Sequence, residues 1–476
     1  MLINNKYLSY YKMKEMEDMP KDNIKNKNIL IEDEEPQDTK ANDLSPKDNL
    51  GNKSTNDLAL NVKNNTIPLS NDSNYFMISF YQNYLPNIVL LSALLILIIV
   101  EIIYKEALFK YSLTYEQNLQ NSLSKFSLKF FEIISFTGNG FFIAIGLILI
   151  FCYFSLIKTI FICSGLILIV YLHDLMKLIY SDPRPFWIKT ILFQDKCETS
   201  YGNPSGHSLV SFFSYLSFSY YLCQIDKIKS NNTYKLSIYL IAIFISALTA
   251  FSRLALGVHS IDQVLYGSFL GIFAFLIFAF MFKIYDMPLI HYIKFFREKK
   301  YINRTILSFI LLIIFPFILY FLIDVEKDKK QYDANISKNC PGIEEYKLYS
   351  HNCLTESLII LVLCGIYFGQ FIFWYLISKK KNQLIQDSPS DAFTLEESVN
   401  NWNIHLNNIR KNYMTALKFF GVILIALIPG IFYIIIPGEN KSLANILLFK
   451  YGLPLFFIGF LAFGPCLYGL IHILKE

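Results

Sequence analysis

What most constrains this chain is its run of apolar segments. About ten stretches reach the roughly 20 residues needed to cross some 30 Å of hydrocarbon. They lie near 86–104, 138–157, 159–180, 206–224, 235–252, 262–283, 305–323, 356–377, 415–436 and 446–473. The second and third are parted only by Ser155-Leu156-Ile157-Lys158. The pattern predicts an all-α fold, a polytopic membrane helical bundle of about ten transmembrane helices. Hydrophobic residues make up 54% of the whole chain, above the ~45–50% of soluble domains. The excess grows once the polar N-terminal tail is set aside.

That tail, residues 1–74, is rich in Asn, Lys, Asp and Glu and poor in aromatics. It is expected to be a disordered cytosolic segment. It contains no apolar h-region, so the first long run, from Pro86, is expected to act as signal-anchor. Three regions follow: the tail, a membrane core over 75–285, and a C-terminal transmembrane region of four spans over 286–476. With the N-terminus cytosolic, Lys227, Lys229, Lys235, Lys294, Arg297, Lys299, Lys300, Lys379, Lys380, Lys381, Arg410 and Lys411 fall in cytosolic loops, as the positive-inside rule requires. The net charge of +5 follows from this topology. No basic block of the kind nucleic-acid binding needs is present.

Between the first two spans, Leu119, Leu123, Phe126 and Phe130 recur at helical spacing. They predict an amphipathic helix over 105–135, lying either in the interface or against the bundle. Gly138-Asn139-Gly140 then breaks the chain. Of the eight cysteines, Cys152, Cys163, Cys223, Cys364 and Cys466 fall in apolar spans as packing residues. Cys340 and Cys353 share a non-cytosolic loop and are expected to pair if that compartment is oxidising. Asn335-Ile336-Ser337 in the same loop is a glycosylation sequon. No cysteine pair has metal-ligand spacing, and no metal site is expected.

Three short motifs carry chemistry. The third span ends in Lys177, followed by Arg184 between Pro183 and Pro185. Taken alone, Lys177 is a snorkelling residue. Arg184, held between prolines, is kept out of helix and is suited to a bidentate grip on an oxyanion. Pro204-Ser205-Gly206-His207 opens the fourth span, where a helix N-terminus favours an anion. Ser252-Arg253 closes the fifth span, and His259 stands just before the sixth. Each motif follows an odd-numbered span or precedes an even-numbered one, so all three emerge on one membrane face. The sequence suggests almost no acidic partners for the cations gathered there, and a bound tetrahedral oxyanion would neutralise them.

As a set these residues resemble the superfamily of type 2 phosphatidic acid phosphatases and vanadium haloperoxidases. Its pattern is Lys-x6-Arg-Pro, Pro-Ser-Gly-His, and Ser-Arg-x5-His-x3-Asp. Lys177, Arg184-Pro185, residues 204–207, Ser252-Arg253 and His259 match in order and spacing, within roughly 130–285. The family's final acid falls on Gln263, with Asp262 one residue early. Gln at this position, Arg184-Pro185-Phe186-Trp187 and Cys197-Glu198-Thr199 are similar to the glucose-6-phosphatase branch. The extra C-terminal spans resemble instead some sphingoid-base phosphate phosphatases, which usually carry Thr where Gly206 stands.

The resemblance implies a six-helix phosphatase core and a metal-independent phosphoric monoester hydrolase with no cofactor. His259 would be the nucleophile and His207 the general acid. Lys177, Arg184, Arg253, Ser205 and Gly206 would hold phosphate, and Gln263 or Asp262 would orient His259. The expected partner is a lipid phosphate of the phosphatidic acid or sphingoid-base class. A sugar phosphate, a phosphotransfer reaction and a non-catalytic carrier are the alternatives. The expected setting is the endoplasmic reticulum, another endomembrane or the plasma membrane, with the site lumenal or extracellular. The spans after residue 300 are left as a dimer surface, a substrate conduit or an uninvolved region.

Overall fold

The computed structural model describes residues 85–140, 156–189, 200–281, 299–322, 349–386 and 452–464, with 142, 143, 146, 147, 198, 332, 335 and 336 between them. The tail 1–74 and the span expected at 415–436 lie outside the described residues, as do most of 138–157 and 446–473. Among the described residues the secondary structure is helical, without strands.

In chain order the helices are α1 Leu85–Ser122, α2 Lys125–Phe136, α3 Leu156–Tyr180, α4 Pro185–Ile188, α5 Gly206–Leu222, α6 Asp226–Lys229, α7 Asn232–Ala255, α8 Ile261–Leu276, α9 Lys299–Leu322, α10 Tyr349–Ser357, α11 Ile360–Gln386 and α12 Leu453–Phe463. A π-helical turn, Ile277–Met281, extends α8. Six helical stretches are long and apolar enough to span: Pro86–Ser122, Thr159–Ile188, Asn232–Ala255, Ile261–Phe280, Tyr301–Leu322 and Asn352–Phe373. The expectation of about ten is therefore not confirmed; α5 is apolar but has only 17 residues.

Large apolar side chains stand exposed along whole faces of these helices: Leu95, Ile96 and Ile103 on α1, Leu240 and Phe244 on α7, Leu311 and Phe315 on α9. Water would not tolerate patches of this extent, whereas lipid tails are as apolar as the side chains. The chain is an integral membrane protein.

The amphipathic helix expected over 105–135 is not a single element. Residues 105–122 continue α1, whose 38 residues make a rod of about 57 Å. The break comes at Leu123-Ser124, where the Ser124 hydroxyl accepts from the Ser127 amide at 3.1 Å and caps α2. A serine that satisfies an orphan amide starts a new helix more readily than it continues an old one.

α8 packs against α5 and α1, α7 against α5 and α2, and α3 against α5 and α10. The core joins Ile162, Leu166 and Ile169 of α3, Leu209, Phe213 and Leu216 of α5, and Tyr266, Leu270 and Phe275 of α8. Close approach of α8 to the start of α5 depends on Gly267, where a Cβ would stand 2.5 Å from the Ser205 carbonyl oxygen.

α1 is a strut for the loops beyond the core. Glu101 accepts from Asn203 Nδ2 at 2.8 Å, which also donates to Asp182 at 2.9 Å; Lys105 donates to Asp182 at 2.9 Å. Ser112 Oγ, itself bonded to Glu116, accepts from the Ile261 amide at 2.8 Å and so caps α8.

The C-terminal helices also reach this region. Asn335 Nδ2 donates to the carbonyls of Trp187 and Ile188 at 2.8 and 3.1 Å, so the sequon amide is engaged in packing rather than presented for modification. Cys353 is a free, buried thiol in a cluster with Phe186, Trp187 and Tyr201. Cys340, its expected partner, lies outside the described residues.

Candidate active site

Lys177 stands in the last turn of α3, and the chain then leaves the helix through Ser181, whose φ is 50°. Arg184 follows in extended conformation, φ −84° and ψ 155°, as N-cap of α4 with Pro185 behind it. The two prolines thus hold Arg184 out of helix, as the sequence predicts. Ser205 is the N-cap of α5 and Gly206 its first residue. The amides of Gly206, His207 and Ser208 begin the helix and have no acceptor in a preceding turn. Arg253 occupies the last turn of α7. A turn through Gly257, φ 66°, then brings Val258 and His259 back toward Arg184.

These motifs meet. Wholly buried Arg184 donates from Nε to the Ser200 carbonyl at 2.7 Å and from Nη1 to the Val258 carbonyl at 3.0 Å. The same Nη1 lies 3.1 Å from His259 Nε2. His259 Nδ1 is 2.9 Å from the Gly202 carbonyl and 3.2 Å from Gln263 Oε1. Both partners of Nδ1 accept, and the partner of Nε2 donates. That assigns the proton to Nδ1 and leaves a lone pair on Nε2. Burial, then the positive charge of Arg184 and Arg253, holds the His259 pKa well below the usual imidazole range.

Both orienting candidates can be placed. Gln263 touches His259 and also binds the Ser260 amide at 3.3 Å and, through Nε2, the Pro183 carbonyl at 2.9 Å. Asp262 is buried and makes no hydrogen bond to His259. The nearest acceptor is one that the motifs did not name, the Gly202 carbonyl.

The other residues expected to hold phosphate are also gathered here. Lys177 Nζ donates to Ser200 Oγ at 3.0 Å, with Glu356 Oε2 at 3.4 Å and Asp174 Oδ1 at 3.9 Å. Arg253 Nη1 donates to Ser135 Oγ of α2 at 2.6 Å. Ser205 Oγ accepts from Ser208 Oγ at 3.0 Å, and the Ser205 amide donates to the Gln263 carbonyl at 3.0 Å.

One expectation is overturned. The cations are not short of acidic partners. Glu198 bridges the two arginines, with Oε2 at 2.6 Å from Arg184 Nη2 and Oε1 at 2.8 Å from Arg253 Nη2. Lys177 is paired with Asp174 and Glu356. Burial pushes the Glu198 carboxyl up, but Arg184 and Arg253 outweigh it and hold it well below the usual carboxylate range.

Two cavities share His207 and Asn139. One, of about 530 Å³, is lined by Lys129, Glu132, Ser135, Glu198 and Arg253. The other, of about 670 Å³, is lined mainly by apolar side chains, among them Ile143, Leu166, Val170, Val210, Ile359 and Leu455. Its polar end holds His173, Asp174 and Glu356.

Residues 158–286 match the family model for the PAP2 superfamily. No curated protein matches the chain. Among solved structures, the chain is similar to the crystal structure of the first transmembrane PAP2 type phosphatidylglycerolphosphate phosphatase from Bacillus subtilis. The two are 21% identical, with 42% of this chain and 98% of that one covered and a TM-score of 0.37. The family match contains Lys177, Arg184, residues 204–207, Arg253 and His259, the residues on which the resemblance was drawn. Residues 158–286 are a PAP2 superfamily domain, set within a longer helical membrane protein.

Proposed function

We propose that the chain is an integral-membrane phosphatase that hydrolyses a phosphate monoester through a phosphohistidine. The observation that carries this is the state of His259. Its Nδ1–H is directed to two acceptors, and its Nε2 lone pair lies beside Arg184.

In the proposed reaction Nε2 of His259 attacks phosphorus and the bond to the leaving alkoxide breaks, with His207 giving the alkoxide its proton. Water then attacks the phosphohistidine while His207 takes up the proton. The P–N bond breaks, and orthophosphate and free His259 are returned. Two moderate steps replace one difficult displacement. Lys177, Arg184 and Arg253, with Ser205 and the Gly206 amide, stabilise the charge on the equatorial oxygens.

The substrate we propose is a lipid phosphate of the phosphatidic acid or sphingoid-base class. The two cavities that meet at His207 support this reading. One offers charged side chains to a headgroup, and the other offers apolar walls to a tail. A sugar phosphate would leave the apolar cavity unused.

Phosphate release by purified protein tests the proposal, with EDTA present and vanadate as inhibitor. Phosphatidic acid, sphingosine phosphate, a polyprenyl pyrophosphate and glucose 6-phosphate form the panel. Lipid phosphates are expected to turn over fastest, without loss in EDTA. Preference for glucose 6-phosphate would overturn the substrate class.

A further inference from the structure

Glu198 has no part in the reaction just described, yet it holds the position the reaction needs. Its carboxylate joins Arg184 Nη2 and Arg253 Nη2 at 2.6 and 2.8 Å. Arg184 otherwise faces fixed acceptors: from Nε the Ser200 carbonyl, from Nη1 the Val258 carbonyl and His259 Nε2, and from Nη2, beside Glu198, the Ser200 hydroxyl and the Tyr201 carbonyl. Arg253 Nη1 is directed to Ser135. The Glu198 carboxylate therefore lies between the two guanidinium groups, where a phosphoryl group bridging Arg184 Nη2 and Arg253 Nη2 would have to sit.

We propose that Glu198 is an internal anion that occupies the phosphate position in the resting site and leaves it when a phosphate binds. The inference rests on the phosphatase reading above.

Three observations support it. The arginines are buried, with side-chain exposures of 0% and 3%, whereas Glu198 is 28% exposed, so the carboxylate is the member of the trio that can move. It faces the cavity of about 530 Å³, which gives it room to withdraw. That cavity is also lined by Lys129 of α2, a cation paired with Glu132, so a withdrawing carboxylate would meet a further positive charge there.

The physical need is clear. Two buried guanidinium groups without a counter-ion would strongly destabilise the empty site, and Glu198 neutralises them between turnovers. It does so at the expense of affinity. If the site accepts phosphate only while the carboxylate is away, every anion binds more weakly by the same fraction. Substrate, product phosphate and vanadate are all affected alike. A site with three cations then releases its product, because the carboxylate returns as phosphate leaves.

The test uses full-length protein with Glu198→Gln and Glu198→Ala. KM is measured for p-nitrophenyl phosphate, with inhibition constants for orthophosphate and orthovanadate. Thermal stabilisation by vanadate provides a binding readout that does not need turnover. In Glu198→Gln all three constants are expected to fall by a common factor of about tenfold, and the vanadate-induced shift to begin at lower concentration. Glu198→Ala is expected to move the same way. If active wild-type protein binds anions as well as or better than both variants, Glu198 only holds the arginines in place and the inference is overturned. If wild-type protein neither cleaves the ester nor is stabilised by vanadate, the phosphatase reading falls, and this inference with it.

Discussion

His259 is held by contacts that fix its chemistry before any substrate arrives. The Gly202 carbonyl and Gln263 Oε1 accept from Nδ1–H, which leaves the lone pair on Nε2, the atom proposed to attack phosphorus. Gln263→Ala removes the weaker acceptor and leaves the backbone one. Turnover is expected to fall about tenfold, some 1.4 kcal/mol on the barrier, while Asp262→Ala changes it little. Loss of all activity in Asp262→Ala alone would reverse that assignment. The imidazole also links stability to pH. Its native pKa is depressed, so below about pH 6.5 the unfolded chain takes up a proton that the native chain refuses. The contribution of His259 to stability is present above that pH and is lost as pH falls. Thermal unfolding followed from pH 8 to pH 5 should show a shallower decline for His259→Asn than for wild type. The cations and imidazoles of the site were legible in the sequence because their spacing is local and their chemistry unusual in apolar surroundings. Of their acidic partners only Asp174, three residues before Lys177, is local, and the others were not legible. Glu198 lies 55 residues from Arg253, and Glu356 lies 179 from Lys177. Such pairings are properties of the fold, and no motif spacing encodes them. The Gly202 carbonyl was hidden for another reason, since a backbone acceptor leaves no mark in side-chain chemistry.

At the scale of elements, the site depends on the meeting of α8 with the start of α5. A methyl group at Gly267 would stand 2.5 Å from the Ser205 carbonyl oxygen, and backbone cannot rotate away as a side chain can. Gly267→Ala is therefore expected to lower stability by about 1–3 kcal/mol and to reduce turnover, because Ser205-Gly206 must shift with the strain. Gly140→Ala, where the added methyl meets nothing within 4 Å, is the comparison and should melt close to wild type. Thermal unfolding and phosphate release measured on both variants check the pair. Element identity was legible where apolar runs are long, as in α1, α3, α7, α8 and α9. It was misread over 105–135, where an amphipathic pattern belongs in part to the far end of α1. A helix of this length leaves the hydrocarbon before it ends, and its periodicity then becomes that of a surface helix. The interruption at Ser124 depends on one capping hydrogen bond, too small a signal to stand out against the continuing helical spacing.

For the whole molecule, the PAP2 domain is not self-sufficient at its site. α1 holds Asn203 through Glu101 and caps α8 through Ser112, while α10 sets Glu356 beside Lys177. The helices outside residues 158–286 therefore shape the proposed phosphate site. They also wall the apolar cavity, through Thr355, Ile359 and Leu455. The central claim is that His259 carries the phosphoryl group, and one measurement addresses it most directly: phosphate release by His259→Ala, with vanadate binding followed in the same protein. The account predicts no release above background and vanadate binding retained by Lys177, Arg184 and Arg253. Wild-type rates of release from His259→Ala would contradict it.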